Sequence, residues 1–317
     1  MRVAIVGAGR MGEAHAEAWS ALAPEAEVVA VVGRREPALA SAPGARGTAD
    51  LDGVLADPDV DAVSICTPTG THVELTARAL AAGKHVLLEK PLALTVADGE
   101  RLVALSRRAG PLLMVAHVVR FFPGYAAVRE AAEQGRLGAL REVRADRLAP
   151  AAGRPAWLDD EARSGGVLLD LAVHDFDQLL LLLGPAARVQ ARSAADGTAE
   201  VTVQHTGGGI GRVRAGWDLP PAFPFTTVLE VTGERGRARY AAEEGGRSEL
   251  FFETPDGVSR TDVDPGAPYT AQARAFLDRI RSGTPPVHGD PAASLAAVRL
   301  ALAAREALAT GRPVDLA

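Results

Sequence analysis

The chain has 317 residues and a formal net charge of −6, with acidic and basic residues interspersed along it. This length predicts two domains, and the lack of a basic stretch argues against a nucleic-acid partner. Cys66 is the single cysteine, and the sequence has neither a signal-peptide pattern after Met1 nor an apolar run long enough to span a bilayer. We therefore expect a cytoplasmic protein without disulfides or a metal site, whose partner is a small molecule.

The first predicted strand covers residues 2–6 and leads directly into a glycine-rich turn, after which a helix is predicted from Glu13 to Ala23. Gly-x-Gly-x-x-Gly spacing lets the chain turn tightly, brings backbone against a pyrophosphate and packs the helix closely on the strand. A purely structural turn is the alternative, but the position between a strand and a helix favours a dinucleotide site. Its predicted contacts are Gly7, Gly9, Arg10, Met11 and Gly12.

The second predicted strand, residues 27–32, ends at Gly33, Arg34 and Arg35. An acidic residue that binds the adenosine ribose is expected about 20 residues beyond the glycines, and none stands directly at this strand end. Gly33 leaves room for a 2′-phosphate, and a guanidinium donates well to phosphate oxygens. The pattern predicts NADP(H) in preference to NAD(H). Two solvated arginines, with Glu36 reaching the ribose, are the alternative.

The next predicted strand covers residues 60–66, and its carboxyl-end loop precedes a helix over residues 73–82. This loop is expected to run under the middle of the cofactor, with contacts from Cys66, Thr67, Pro68 and His72. The cysteine is expected to be a small packing residue and not a nucleophile. His72 either contacts the cofactor or only marks the start of the helix.

Residues 83–91 predict a short buried strand that ends at Glu89, Lys90 and Pro91. Ligands of open α/β sheets bind at the carboxyl ends of strands. Of the 34 lysine and arginine residues, only Lys84 and Lys90 are lysines. A lysine at this strand end suggests a need for a compact, titratable ammonium. The alternative is that a lysine stands here by chance, or only to form a salt bridge with Glu89.

A further strand over residues 111–116 is followed by His117 and a domain boundary near residue 119. We therefore expect a dinucleotide-binding domain over residues 1–119 and a substrate-binding and oligomerisation domain over residues 120–317. In the second domain, many short strands with turn residues between them predict a large, mostly antiparallel open sheet. Helices are predicted near residues 271–282 and 292–310, which makes this domain α+β.

One helix interrupts these strands and carries a second group of polar side chains. Gly165 and Gly166 precede an apolar stretch that contains Asp170 and His174 and ends before Gly184. On one continuous helix, residues four apart lie on the same face, so Asp170 and His174 are expected to meet one substrate. A structural histidine is the alternative, although polar groups in a leucine-rich helix need partners.

The glycine turn, Glu89-Lys90-Pro91 and Gly165-Gly166 followed by Asp170 and His174 together resemble the glucose–fructose oxidoreductase, inositol dehydrogenase and rhizopine-catabolism (Gfo/Idh/MocA) family. The resemblance covers nearly the whole chain. It implies a Rossmann domain, an open-sheet domain, NAD or NADP, and hydride transfer at a hydroxyl or carbonyl carbon of a sugar, polyol or cyclitol.

The resemblance also implies roles for individual residues. Lys90, Asp170 and His174 take the catalytic positions. Cofactor contacts are implied for Glu89, near the nicotinamide ribose, for Lys90 and for His117, which stands where many relatives have asparagine. Substrate contacts are implied for Lys90, Asp170 and His174. Three further residues are implied to line the walls of the substrate site: Arg120, Trp157 and Tyr269.

These roles agree with the chemistry of the side chains. A histidine titrates near neutrality and suits a general base, while a lysine can hold the alcohol oxygen and stabilise negative charge on it. Two other readings stay open: a glycosidase that uses NAD transiently, and a non-catalytic dinucleotide-binding regulator. Helices are expected on only one face of the large sheet, so the other face is expected to be covered by another copy of the chain. This predicts a homodimer or homotetramer.

Overall fold

The structure is a computed structural model that describes residues 1–34 and 37–316. The chain separates into two compact units. The first unit contains Met1–Phe121 and Ala267–Leu295, and the second contains Phe122–Gly266 and the residues from Ala296 onward. The segment Ala267–Leu295, which the sequence assigns to the second domain, therefore groups with the first unit.

The first unit is built on six parallel strands in the order β3-β2-β1-β4-β5-β6. This is the strand order of a dinucleotide-binding Rossmann sheet. The strands are β1 (Arg2–Val6), β2 (Glu27–Val32), β3 (Arg46–Thr48), β4 (Ala62–Ile65), β5 (His85–Glu89) and β6 (Leu113–Ala116). The helices between them are α1 (Arg10–Ser20), α2 (Leu51–Ala56), α3 (His72–Ala81) and α4 (Val96–Arg108).

A later helix, Pro268–Ser282, completes the core of the first unit. Phe276 of this helix is fully buried and packs edge-on against Trp19 of α1, with ring centroids 6.1 Å apart. At the surface, Glu25 accepts hydrogen bonds from Arg274 and Arg281, which lower the pKa of this carboxyl to about 2. Burial of a large aromatic ring on the α1 side explains why this segment belongs with the first unit.

The second unit contains a nine-stranded sheet in the order β14-β13-β12-β11-β7-β10-β9-β8-β15. Strands β7 and β10 pair in parallel, and the other neighbours pair antiparallel, which confirms the predicted fold class. Its strands are β7 (Leu140–Pro150), β8 (Ala186–Ser193), β9 (Ala199–His205), β10 (Ile210–Leu219), β11 (Thr226–Gly233), β12 (Arg237–Glu243), β13 (Ser248–Thr254), β14 (Gly257–Asp262) and β15 (Val314–Asp315).

Six further α-helices follow α4 in the part of the chain that the structure describes. They are α5 (Pro123–Glu133), α6 (Glu161–Ser164), α7 (Gly166–Asp170), α8 (Val173–Leu183), α9 (Pro268–Ser282) and α10 (Pro291–Thr310). None of the helices in residues 1–34 and 37–316 is long and apolar enough to cross a membrane. Within the same residues no group of three or more His, Cys, Asp or Glu side chains is placed to hold a metal ion.

The two faces of the nine-stranded sheet differ in chemistry. Alternate residues of β7, such as Val143 and Ala145, are buried on the face that packs against α8. The opposite face, here called the open face, carries a row of side chains in register across the strands, namely Arg212, Arg144, Glu230 and Arg239. Because these charges form ion pairs within the sheet, the open face is polar, and any cover of this face by a second copy of the chain would have to accommodate these charges.

Candidate active site

Most of the predicted cofactor residues of the first unit lie where its parallel strands end. The glycine turn follows β1, Gly33 and Arg34 follow β2, and the loop from Cys66 follows β4. Glu89 and Lys90 end β5, and His117 follows β6. Since the strands are parallel, these segments share one edge of the sheet. Arg35 and Glu36, named in the cofactor prediction, lie outside the described residues.

The glycine turn is closely packed at its first and third glycines and open at its second. Gly7 has φ +104°, and a Cβ there would lie 2.7 Å from the carbonyl oxygen of Cys66. A Cβ at Gly12 would collide with the carbonyl oxygen of Gly7, whereas one at Gly9 would meet nothing within 4 Å. Gly9 is also the N-cap of α1 and supplies no side-chain cap. The open space and the free N–H groups fit the pyrophosphate of a dinucleotide.

Glu89 and His15 form a buried ion pair beneath the end of β5. His15 Nε2 lies 3.0 Å from Glu89 Oε1, and the two residues are only 2% and 5% exposed. Burial lowers the pKa of His15, but Cys66 and Glu89 raise it more, so the net pKa lies above its usual range. Burial likewise opposes ionisation of Glu89, yet the hydrogen bond and charge of His15 bring the carboxyl pKa below its usual value. The directions of the two shifts both favour the ionised form of the pair.

Two further side chains surround His15. The Tyr269 ring lies 6.3 Å from the His15 ring, measured between centroids, and burial raises the pKa of this phenol to about 12. Burial also raises the pKa of the Cys66 thiol, so the sulfur is protonated at neutral pH, as a packing residue would be. Tyr269, predicted as a substrate wall residue, thus belongs to the first unit and lies beside His15.

His72 lies under the same loops with both of its ring nitrogens facing main-chain oxygens. Nδ1 is 2.8 Å from the carbonyl oxygen of Pro91, and Nε2 is 3.0 Å from that of Thr67. Its side chain is 1% exposed. His117 and Arg120, after β6, are also buried, at 1% and 5% exposure. The ring nitrogens of His72 are thus directed at the protein's own backbone, and its contact with a cofactor stays a prediction.

Lys90 is half-buried, whereas the other lysine is enclosed. Lys84 is 7% exposed and donates to the carbonyl oxygens of Asp57 and Val60, at 2.7 Å each. Lys84 therefore ties the loop before β4 to the start of β5, and its role is structural. Of the two lysines, only Lys90 stands at the carboxyl end of a strand, where a ligand would be reached.

The helix predicted to carry both Asp170 and His174 is interrupted. Asp170 ends α7, and His174 lies in the first turn of α8. Between them the N–H of Ala172 donates to the carbonyl oxygen of Val167, five residues back, which widens the turn. The expectation of a single regular helix through Asp170 and His174 is therefore wrong, whereas their joint contact with one substrate stays a prediction. Both residues are half-buried, and three residues separate them at the junction of these two helices.

The glycine pair before α7 has a clear steric cause. Gly165 and Gly166 both have positive φ, at +83° and +75°. A Cβ at Gly166 would also lie 2.9 Å from Glu161 Oε1. These two left-handed residues allow α6 to end and α7 to begin without a linker, which sets where Asp170 falls.

A buried charge network lies directly after His174. Arg147 of β7 donates two hydrogen bonds to the Asp175 carboxylate, at 2.8 and 2.9 Å, and a third to the Tyr125 hydroxyl at 3.1 Å. The Arg147 and Asp175 residues are 4% and 0% exposed. This bidentate pair fixes the first turn of α8 on the sheet, and that turn carries His174.

Trp157, predicted as a substrate wall residue, lies in the second unit on a short 3-10 helix, Ala156–Asp159, and is half-buried. This helix is held by Arg154, which donates to Asp159 and lies over the Trp217 ring, 4.8 Å from its centroid. The structure therefore places Trp157 in the same unit as Asp170 and His174.

Sequence reasoning missed His15 and Arg147. A signal for His15 existed, because Gly12, His15, Ala16 and Trp19 form the buried stripe of α1, and a histidine in that stripe needs a polar partner. Arg147 gave no comparable signal, since arginines are frequent in the strands and its partner lies 28 residues away.

The parallel sheet, the glycine turn and the strand-end lysine define an oxidoreductase with an NAD-binding Rossmann fold. The family model "Oxidoreductase family, NAD-binding Rossmann fold" (GFO_IDH_MocA) matches residues 1–117, and the model of the GFO/IDH/MocA C-terminal domain matches residues 125–239. The chain is 31% identical to inositol 2-dehydrogenase of Rhizobium meliloti (strain 1021), with 100% of this chain and 99% of that protein covered. The chain belongs to the GFO/IDH/MocA oxidoreductase family.

Two further similarities extend this finding. The 1,5-anhydro-D-fructose reductase of Ensifer adhaerens is 32% identical over 86% of this chain and 84% of that protein. The crystal structure of GenD2 from gentamicin A biosynthesis in complex with NAD has a TM-score of 0.84 and 28% identity, covering 100% of this chain and 96% of that one. The predicted family and the predicted class of enzyme are thereby confirmed.

The Arg147–Asp175 pair yields a stability prediction. Asp175→Asn leaves the arginine charge buried without its carboxylate, and we expect a loss of about 3–5 kcal/mol in the free energy of unfolding. Denaturant titration measures this loss. As a control, Glu234→Gln removes a partner of the exposed Arg141 ion pair and should change the value by less than about 1 kcal/mol. Equal effects of the two substitutions would contradict the prediction.

Proposed function

We propose that this protein transfers a hydride between a nicotinamide dinucleotide and a hydroxyl-bearing or carbonyl carbon of a sugar, polyol or cyclitol. The observation that carries the proposal is the convergence of an open glycine turn and a strand-end lysine at one edge of the sheet. The substrate class is supported by the relatives named above, an inositol dehydrogenase and a sugar reductase.

The residues that would hold the dinucleotide are those at the carboxyl ends of the strands. Backbone N–H groups after Gly9 would bind the pyrophosphate, with Arg10 and Met11 in the same turn, and the loop of Cys66, Thr67 and Pro68 would pass beneath. When bound, the nicotinamide supplies the hydride acceptor or donor. His117 follows the neighbouring strand, and its cofactor contact remains part of the proposal.

The protein's own groups would manage the proton and the developing charge. Lys90 would donate a hydrogen bond to the reacting oxygen and stabilise negative charge on it. His174 would take the proton of the hydroxyl in the oxidation direction and return it in the reduction direction. Asp170 would orient His174 or bind a neighbouring hydroxyl. Arg120, Trp157 and Tyr269 are the proposed walls around the substrate.

Glu89 is better suited to support Lys90 than to bind a ribose. One of its carboxylate oxygens faces His15, and the other accepts a hydrogen bond from the backbone N–H of Lys90 at 3.1 Å. Because both oxygens already have partners inside the protein and the residue is 5% exposed, a supporting role is favoured over a ribose contact.

The catalytic proposal predicts large effects of two substitutions. Lys90→Ala and His174→Ala should each lower kcat by at least about a hundredfold, because each removes a group that acts on the reacting oxygen or its proton. The assay follows reduced nicotinamide with a panel of polyols and sugars. Cofactor affinity, measured separately by titration, should stay within about threefold.

Lys84→Met is the matched control, since it removes the other lysine and keeps an aliphatic stem; it should lower stability and leave kcat near the parent value. Near-parent kcat in Lys90→Ala or His174→Ala would contradict the assignment. Glycoside cleavage without net cofactor reduction would support a glycosidase, and binding without any turnover would support a regulator.

We also propose that the cofactor is NADP(H) in preference to NAD(H). Gly33 follows β2 without a side chain that could repel a 2′-phosphate, and a Cβ there would lie 2.9 Å from the Pro37 ring, so packing also favours glycine at this position. The following Arg34 is exposed and available to a phosphate. A charge-assisted hydrogen bond of this kind contributes about 1.5–3 kcal/mol, or roughly ten- to a hundredfold in affinity.

Titration with both cofactors tests this preference. NADP(H) should bind at least about tenfold more tightly than NAD(H), and Arg34→Ala should weaken NADP(H) selectively. Arg2→Ala is the matched control, because this exposed arginine begins β1 at the opposite edge of the sheet, where it pairs with Glu27. Equal or tighter binding of NAD(H) by the parent protein would overturn the preference.

The oligomeric proposal is a homodimer or homotetramer formed in the cytoplasm through the open face of the second unit. Because that face carries ion pairs, such as Arg212 with Glu142 at 3.2 Å, association through it should depend on salt. Light scattering at low salt should give a multiple of 32.9 kDa, with partial dissociation at high salt. A 32.9 kDa species at micromolar concentration under both conditions would contradict the proposal.

A further inference from the structure

Two buried histidines that the proposed mechanism does not use lie on either side of Lys90. His15 and His72 are 2% and 1% exposed. His15 contacts Glu89, the residue before Lys90, and His72 contacts Pro91, the residue after it. Each histidine comes from a different helix of the first unit, α1 and α3 respectively.

The contact on the N-terminal side of Lys90 fixes the side chain of Glu89 and the backbone of Lys90. His15 Nε2 lies 3.0 Å from Glu89 Oε1. The second oxygen, Oε2, accepts the N–H of Lys90 at 3.1 Å. The Glu89 carboxylate is thus held at one oxygen by His15 and holds the Lys90 main chain with the other. A charge-assisted pair out of water is a stiff link, because breaking it leaves a buried charge.

The contact after Lys90 fixes the following residue to the neighbouring strand's loop. His72 Nδ1 lies 2.8 Å from the Pro91 carbonyl oxygen, and Nε2 lies 3.0 Å from the Thr67 carbonyl oxygen. Carbonyl oxygens only accept hydrogen bonds, and burial lowers the pKa of His72 and so favours the neutral ring, which donates its one N–H to one of the two oxygens and packs against the other. The ring therefore bridges the loop after β4 and the turn that contains Lys90.

We propose that His15 and His72 are positioning residues that hold the backbone of Lys90 from both sides and so set where its ammonium lies. The inference rests on the proposed function, in which Lys90 acts on the reacting oxygen. A displacement of about 1 Å in a catalytic group can cost on the order of a hundredfold in rate. Neither histidine contacts substrate in this proposal.

The two lysines allow a test that does not depend on turnover. Since Lys84 and Lys90 are the only lysines, a protein labelled with ¹³C at the lysine Cε positions gives one signal from each. We expect His15→Leu and His72→Leu to shift or broaden the Lys90 signal while the Lys84 signal, held by two backbone carbonyls, stays unchanged. Lys90→Arg assigns the signals.

His205→Leu is the matched control. His205 is 4% exposed and its Nδ1 lies 2.8 Å from the Gly184 carbonyl oxygen, in the second unit. The His205→Leu variant therefore lacks a buried imidazole that contacts the backbone, as the two test variants do. In this control both lysine signals should remain unchanged. Where a leucine variant fails to fold, His15→Gln or His72→Gln replaces it, because an amide keeps a donor in the pocket.

Kinetics supplies the second measurement. We expect kcat to fall by at least about tenfold in the leucine variants, with less loss in the glutamine variants and cofactor affinity within about threefold of the parent. A folded His15 or His72 variant with unchanged Lys90 signal and unchanged kcat would overturn its positioning role. If the parent protein shows no turnover, the proposed function fails, and an unchanged Lys90 signal would then separately refute the positioning role.

Discussion

Parallel pairing of β1, β4 and β5 is the constraint on which the candidate site depends. It brings the ends of these strands to one edge, so that Gly7, the Cys66 carbonyl and Glu89 lie side by side although they are far apart in sequence. The close contact of Gly7 with Cys66 leaves no room for a side chain, and α1 then starts where a pyrophosphate would lie. Dinucleotide binding follows from strand order more than from any one residue.

The parts of the fold with a local signal were predictable from sequence. Strand, glycine turn and helix appear within the first 20 residues, and the strand-end position of Lys90 followed from the short apolar run before it. The break between α7 and α8 was not predictable, because the sequence through Leu171 and Ala172 has the helix propensity of its neighbours and only the hydrogen-bond register changes. The placement of Ala267–Leu295 in the first unit likewise depends on tertiary packing of Phe276.

Buried charges distinguish the two units from ordinary apolar cores. In the first unit, His15 and Glu89 lie beneath the strand-end lysine, and in the second, Arg147 and Asp175 lie beside His174. Such pairs contribute little net stability when compared with apolar substitutes, but they impose one geometry on the residues next to them. Each pair adjoins in sequence a residue proposed to act on the substrate, which is where a fixed geometry matters most.

The central claim is hydride transfer between a substrate carbon and the nicotinamide. Its most direct measurement uses a polyol that carries deuterium on its hydroxyl-bearing carbons, with oxidised NADP as the second substrate and mass spectrometry of the recovered cofactor. We expect the reduced cofactor to contain one deuterium and the oxidised polyol to have lost one. Substrate conversion with no deuterium in the recovered cofactor would contradict it.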